Sequence, residues 1–152
     1  MNLQVRPARP ADAPTLTAFN AAMAIETENL SLDPDTLSAG VHALLADPAK
    51  GQYFVAELDS HIIGQLMITH EWSDWRNGDI WWIQSVYVHP DHRRHGVFRA
   101  LYRHVEHAAR NAHAVMIRLY VHEHNRIGQG TYHGLGMNMS HYRVMEHSLL
   151  PR

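Results

Sequence analysis

Residues Ile80 to Leu101, IWWIQSVYVHPDHRRHGVFRAL, require a strand to end and a helix to begin within a few residues of each other. Ile80 to Val88 is dense in β-branched and aromatic residues and reads as a strand. Pro90 has no N–H to give to a sheet ladder, so the strand stops near it. After His92-Arg93-Arg94-His95-Gly96, the apolar positions Phe98, Leu101, Tyr102 and Val105 recur at i, i+3, i+4, i+7, which predicts a helix. A helix start presents N–H groups without intrahelical acceptors and a partial positive charge. With arginines in front and a glycine that admits close backbone approach, this loop is suited to hold a phosphate. The same residues also suit a solvated surface turn, and loop chemistry alone leaves both readings open.

The rest of the chain is read around that unit. Residues 3–7, LQVRP, predict a first strand. Asp12 is placed to cap a following helix whose core positions are Ala13, Leu16, Phe19 and Met23. Glu26-Thr27-Glu28 ends or follows that helix. Asp33-Pro34 opens a second helix with Leu37, Val41, Leu44 and Leu45 as its apolar stripe, closed by Asp47-Pro48 and Gly51. Tyr53–Leu58 and His61–His70 predict two strands joined by a tight turn at Asp59-Ser60. Gly64 marks a bulge or a close backbone approach. Asn77-Gly78 is a strong hairpin signal, so 61–70 and 80–88 should pair antiparallel. Residues 114–121 predict a further strand, about 125–134 a short helix, and 142–149 a last strand paired near Met137.

Hairpins followed by a helical crossover imply an α/β (α+β) fold: a mixed central sheet with helices on both faces, in one domain spanning 1–152. At 152 residues and 45% apolar composition the chain can bury a sizeable core. A net charge of −2 gives no sign of nucleic-acid or anionic-membrane binding. There is no apolar run long enough to span a bilayer and no signal peptide, so a cytoplasmic location is the expectation. Without cysteine there is no disulfide, thiolate metal site or cysteine nucleophile. The fourteen histidines are scattered. His122 and His124 would share a strand face, but no third ligand stands at a recognisable metal spacing, so no metal is expected.

The order Val88-x-Pro90-x-x-Arg93-Arg94-x-Gly96-Val97-x-x-x-Leu101 resembles the acetyl-CoA signature of the GNAT N-acetyltransferases. The family's core pattern is Gln/Arg-x-x-Gly-x-Gly/Ala. Arg93 and Gly96 match its first two fixed positions, while Phe98 stands where a small residue is usual. A second stretch, Asn125-Arg126-Ile127-Gly128-x-x-x-Tyr132-x-x-x-Gly136-Met137, resembles the family's Asn-x-x-Ala-x-x-x-Tyr-x-x-x-Gly-Phe. The element order resembles the GNAT order over the whole chain.

The resemblance implies acetyl-CoA as co-substrate and direct acetyl transfer to a primary amine of a small molecule, amino acid or peptide. It implies that Arg93, Arg94, His95, Gly96, Val97, Phe98 and Arg99 hold the pyrophosphate. Val86, Tyr87 and Val88 would supply the oxyanion N–H, and Asn125 would contact the cofactor. Tyr132 would protonate the leaving thiolate. Gln84 and Ser85 stand where many members carry a glutamate base, and an amide cannot accept that proton. Glu26 and Glu71 are the substitute candidates, with Glu28 and Asp74 behind them. Trp72, Trp75, Trp81 and Trp82 suit either a cation–π wall for an ammonium or plain packing. Dimers are common in the family, so a homodimer is among the implied states. A non-catalytic CoA-binding sensor of the same fold is the alternative reading.

Overall fold

The computed structural model describes residues 2–151 and forms two compact units, Met1–Tyr120 and Val121–Arg152. The first holds β1 (Leu3–Pro7), α1 (Ala13–Glu28), α2 (Pro34–Ala46), β2 (Gln52–Leu58), β3 (His61–Ser73), β4 (Gly78–Val88), α3 (Val97–Asn111) and β5 (Met116–Leu119). The second holds α4 (Arg126–Gly134). The sheet order is β1-β2-β3-β4-β5; the first three pairings are antiparallel and β4–β5 is parallel. This is the mixed sheet that two hairpins and a helical crossover require.

Both hairpin turns use left-handed backbone. Asp59 and Ser60 have φ of 48° and 68° and form a two-residue loop between Leu58 and His61. The second hairpin joins β3 and β4 antiparallel, as Asn77-Gly78 predicted: Ser73 pairs with Gly78, and 74–77 form the loop with Asn77 at φ 51°.

Helices cover both faces of the sheet. On one, Ala13 and Leu16 of α1 and Val41 of α2 bury Tyr53 and Val55, with Leu37, Leu44 and Leu45 packed around them. On the other, α3 buries Val97, Leu101, Tyr102, Val105 and Ala109. Each valine and leucine among them contributes roughly 1.5–3 kcal/mol on leaving water. Gly64 is what lets α3 approach: a Cβ there would lie 2.9 Å from Val97 Cγ1. The core position at the start of α3 is therefore Val97, and Phe98 is half-buried.

Three local expectations are corrected. Asp12 does not cap α1. Its carboxylate accepts from Arg6 Nη1 at 2.8 Å and from the Arg9 N–H at 2.7 Å, and the Arg6 guanidinium holds it below the usual carboxylate range. His122 and His124 lie in a turn, with the His124 N–H donating to His122 Nδ1, rather than on one strand face. Residues 142–149 are not part of the sheet, and β5 is its last strand among the described residues. Asp33 does cap α2, accepting from the Thr36 N–H at 2.9 Å.

Candidate active site

β4 outruns its neighbour. It pairs with β5 from Ile80↔Met116 to Ile83↔Leu119, then continues to Val88 with no ladder partner on that side among the described residues. The edge of 84–88 is thereby open to a ligand that can bond to backbone. Within this open stretch β4 bulges: the register with β3 steps from Met67↔Gln84 to Gln65↔Tyr87, so Ser85 and Val86 together face Leu66. Ser85 sits at φ 52°, a left-handed conformation that costs a non-glycine residue about 1–2 kcal/mol.

Buried polar groups hold that bulge. Gln65 is fully buried, and its Nε2 donates to the Ser85 carbonyl at 2.9 Å and to Asn20 Oδ1 at 3.2 Å. Asn20 Nδ2 donates to the Tyr53 hydroxyl at 3.1 Å, and that hydroxyl also meets the Ser85 side chain. Burial pushes the Tyr53 phenol up, so it stays protonated. Three elements, α1, β2 and β3, thus converge on one strained residue of β4. Gln65 and Asn20 were not foreseen as functional. A signal was present, since Asn20 lies four residues after Leu16 on the core stripe of α1, and Gln65 stands between Gly64 and Leu66 in an apolar strand.

After Val88 a single 3₁₀ turn, Pro90–His92, leads into the loop. Arg94 takes φ 65° and Gly96 φ 78°, and Gly96 is the N-cap of α3. Arg94, His95 and Gly96 are exposed, and the space where a Cβ of Gly96 would sit is clear within 4 Å. The result is an exposed turn at the positive end of a 15-residue helix, with room at Gly96 for a phosphate oxygen to reach backbone N–H groups.

The Arg93 side chain turns the other way. Its Nε donates to the Val88 carbonyl at 2.9 Å and its Nη2 pairs with Glu26 Oε2 at 2.8 Å. Its guanidinium lies 5.3 Å from the Tyr87 ring centroid. Tyr87 donates to Glu26 Oε1 at 3.1 Å, so Glu26 ties the end of α1 to both strand and loop. The Arg93 guanidinium, helped by the Tyr87 hydroxyl, lowers the Glu26 carboxyl from its ordinary value. Burial and then Glu26 push the Tyr87 phenol up.

Glu71 lies elsewhere on the sheet. It pairs in register with Ile80, accepts from Trp82 Nε1 at 3.0 Å and meets Arg118 at 3.5 Å. Six residues of β4 separate Ile80 from Val86, about 20 Å at the strand rise. Trp82 also stacks on Tyr120 and receives Arg118 over its ring. Trp81 is core, while Trp72 and Trp75 are exposed on the hairpin. Gln84 Nε2 donates to Thr69 Oγ1 at 2.7 Å.

In the second unit, Asn125 caps α4 by accepting from the Gly128 N–H at 3.0 Å. A Cβ on Gly128 would meet the Asn125 side chain, which would have to shift to make room for it. Tyr132 lies in the last turn of the helix. The Gly136 N–H bonds the His133 carbonyl and the Met137 N–H bonds the Tyr132 carbonyl, with Gly136 at φ 100°. This is a Schellman end, so the spacing Tyr132-x-x-x-Gly136-Met137 fixes how the helix stops after the tyrosine. Burial pushes the Tyr132 phenol up, so it carries its proton at neutral pH.

The model of the family described as acetyltransferase (GNAT) family matches residues 18–137. A solved structure described as a possible acetyltransferase from Clostridium difficile 630 is 40% identical, covers 98% of this chain and 99% of its own, and superposes with a TM-score of 0.91. A predicted acetyltransferase from Clostridium acetobutylicum, solved with acetyl-CoA, is 18% identical with a TM-score of 0.79, covering 95% of this chain and 96% of its own. A ribosomal-protein-alanine N-acetyltransferase from Brucella melitensis biovar Abortus 2308 is 16% identical with a TM-score of 0.78, covering 97% and 99%. These last two share the fold. No curated protein matches the chain.

Proposed function

The chain belongs to the GNAT acetyltransferase family, and on that footing we propose that it transfers acetyl from acetyl-CoA directly to a primary amine of a small molecule, amino acid or peptide. The observation that carries this reading is the open, bulged end of β4 leading into the exposed turn at Gly96. A thioester laid along 84–88 can bond to unpaired backbone there. Its carbonyl oxygen would take the N–H of Val86, with Tyr87 and Val88 lining the same edge, and a preorganised donor of this kind stabilises the tetrahedral oxyanion. The pyrophosphate would rest on the amides of 94–99. We read the whole chain, 1–152, as one such domain, with Asn125 contacting the cofactor and Tyr132 returning a proton to the CoA thiolate.

The reaction needs no covalent enzyme intermediate. The neutral amine attacks the thioester carbon, the C–S bond breaks, the thiolate takes a proton from Tyr132, the new ammonium loses one to solvent, and Tyr132 regains its proton from solvent. Arg93 works through its side chain as a clamp between Val88 and Glu26, leaving the loop amides for phosphate. Glu26, with its lowered carboxyl, is a fixed negative charge beside Tyr87 that favours a cationic acceptor; it is poorly suited to take the proton. Glu71, on β3 opposite Ile80, is about 20 Å along the strands from Val86, too distant for direct transfer.

Gln65 gives this mechanism a specific test. Gln65→Leu removes the donor that holds the Ser85 carbonyl and leaves buried acceptors unpaired, at about 1–3 kcal/mol of stability. With the bulge relaxed, kcat on a responding amine, followed by thiol release, should fall about 100-fold while acetyl-CoA affinity is retained. An unchanged kcat would remove the bulge from the mechanism. Acetyl-CoA binding without turnover on any amine of a broad panel would favour the sensor reading.

A further inference from the structure

On the acetyl-transfer reading, on which this inference rests, we propose that the acceptor is a short free peptide and that Arg118 anchors its terminal carboxylate. One face of the sheet carries the argument. Gln84 Nε2 donates to Thr69 Oγ1 at 2.7 Å; Thr69 pairs in register with Trp82, and Trp82 pairs with Arg118 across β4 and β5. Glu71 stands two residues beyond Thr69, and Tyr120 two beyond Arg118, so strand alternation puts these side chains on the same face. It is the face that meets α1: Gln65 of β3 bonds Asn20 there, and Tyr87 of β4 bonds Glu26. The helix α3, which starts at the Gly96 turn, packs on the opposite face, where Gly64 meets Val97. Phosphate and acceptor thus approach the open end of β4 from opposite sides.

The charges along this face are ordered. Glu26 stands at the end nearest Val86, held by the Tyr87 hydroxyl and by Arg93. Arg118 stands at the other end. Both oxygens of Glu71 are engaged there: Oε1 accepts from Trp82 Nε1 at 3.0 Å, and Oε2 meets Arg118 Nη1 at 3.5 Å. That long contact is the only side-chain hydrogen bond of the half-buried Arg118 among the described residues, so most of its donor fork is unused. A guanidinium fork takes a carboxylate through two parallel N–H bonds. Its central carbon lies 5.9 Å from the Trp82 ring centroid, which restricts where the fork can point. Between the two ends, Trp82 and Tyr120 stack with centroids 4.7 Å apart, and Tyr120 is 63% exposed, so the floor is aromatic and open to a ligand.

The spacing sets the length of the acceptor. Arg118 is level with Trp82, which lies four residues before Val86, or about 13 Å at the strand rise. An extended peptide covers about 3.3–3.6 Å per residue, so about four residues bring the amino group to the thioester while the carboxylate meets Arg118. A single amino acid is too short to reach both ends. A polyamine is long enough, but it would set a cation against Arg118 and leave the fork unused. The ammonium of a peptide is drawn toward Glu26 and its carboxylate toward Arg118, which fixes the direction in which it lies.

The test is calorimetric titration of the full chain, saturated with CoA, with tetra-alanine, tetra-alanine amide and di-alanine, for the parent and for Arg118→Gln. The parent should bind tetra-alanine about 10-fold or more tighter than its amide, and tighter than di-alanine. Arg118→Gln should bind tetra-alanine and its amide alike, with the parent's affinity for the amide. In steady state with acetyl-CoA, the variant should raise KM for tetra-alanine at similar kcat, the mark of a lost binding contact. Equal parent affinity for acid and amide overturns the proposal. So does a preference for the acid that survives Arg118→Gln, or binding of no peptide by protein that binds CoA. Failure to bind CoA itself would overturn the acetyl-transfer reading instead. If Arg118→Gln does not fold, the parent's preferences for acid over amide and for four residues over two decide alone.

Discussion

Gly96→Glu yields a folded protein that no longer binds acetyl-CoA. The fold survives because α3 is held by Val97, Leu101, Tyr102, Val105 and Ala109, all buried and untouched by the change. The substituted side chain meets open space, so it clashes with nothing in the protein. Its cost is the positive φ of 78°, about 1–2 kcal/mol for a residue with a Cβ. A carboxylate at a helix start is otherwise mildly favourable, which offsets part of that strain. The cofactor is affected far more. The glutamate fills the approach to the backbone amides and sets a negative charge against the pyrophosphate. Two like charges 4 Å apart near a protein surface repel by about 4 kcal/mol, roughly a thousandfold in Kd. Gly96→Ala carries the strain without the charge and should bind with intermediate affinity. Circular dichroism with calorimetric titration checks all three proteins; parent-like affinity in the glutamate variant would sink the loop assignment.

Tyr132→Phe has the second large effect, on turnover rather than binding. The helix end after residue 132 is made by main-chain bonds from Gly136 and Met137, so phenylalanine preserves it. Only the hydroxyl is lost. Removing a proton donor to the leaving thiolate should lower kcat by about 10²–10⁴-fold at unchanged acetyl-CoA affinity. The sign of the pH effect follows from burial, which raises the phenol. An acid with a raised pKa keeps its proton through neutral pH and loses it only above its ordinary value of about 10. The parent should therefore lose activity in that alkaline range, and the variant should lack that limb. Single-turnover rates isolate the chemical step, and a variant as fast as the parent there would remove Tyr132 from the mechanism.

The frame of the fold was legible because it rests on local rules. Pro90 and Gly96 bracket the strand-to-helix turn, Asp33 caps α2, and alternating apolar residues mark β2 and β3. Gly64 was readable as a close approach, and Val97 is the side chain that approaches it. What sequence could not give depends on partners far along the chain. The bulge at Ser85 and Val86 exists because Gln65, Asn20 and Tyr53 meet there, from three other elements. The direction of the Arg93 side chain is set by Glu26, sixty-seven residues away. Spacing names Arg93 as a loop residue but not which way its guanidinium turns. Residues 142–149 carry a strand's composition without a ladder partner among the described residues, because composition states what a segment needs and not who supplies it.

The most direct measurement of the central claim is calorimetric titration of the purified protein with acetyl-CoA and, in parallel, with pantetheine, which lacks the pyrophosphate and nucleotide. Saturable binding of acetyl-CoA in the micromolar range, lost or much weakened for pantetheine, is the predicted result. Absence of heat with acetyl-CoA at concentrations far above that range would contradict it, and the open edge of β4 and the Gly96 turn would then be fold without cofactor.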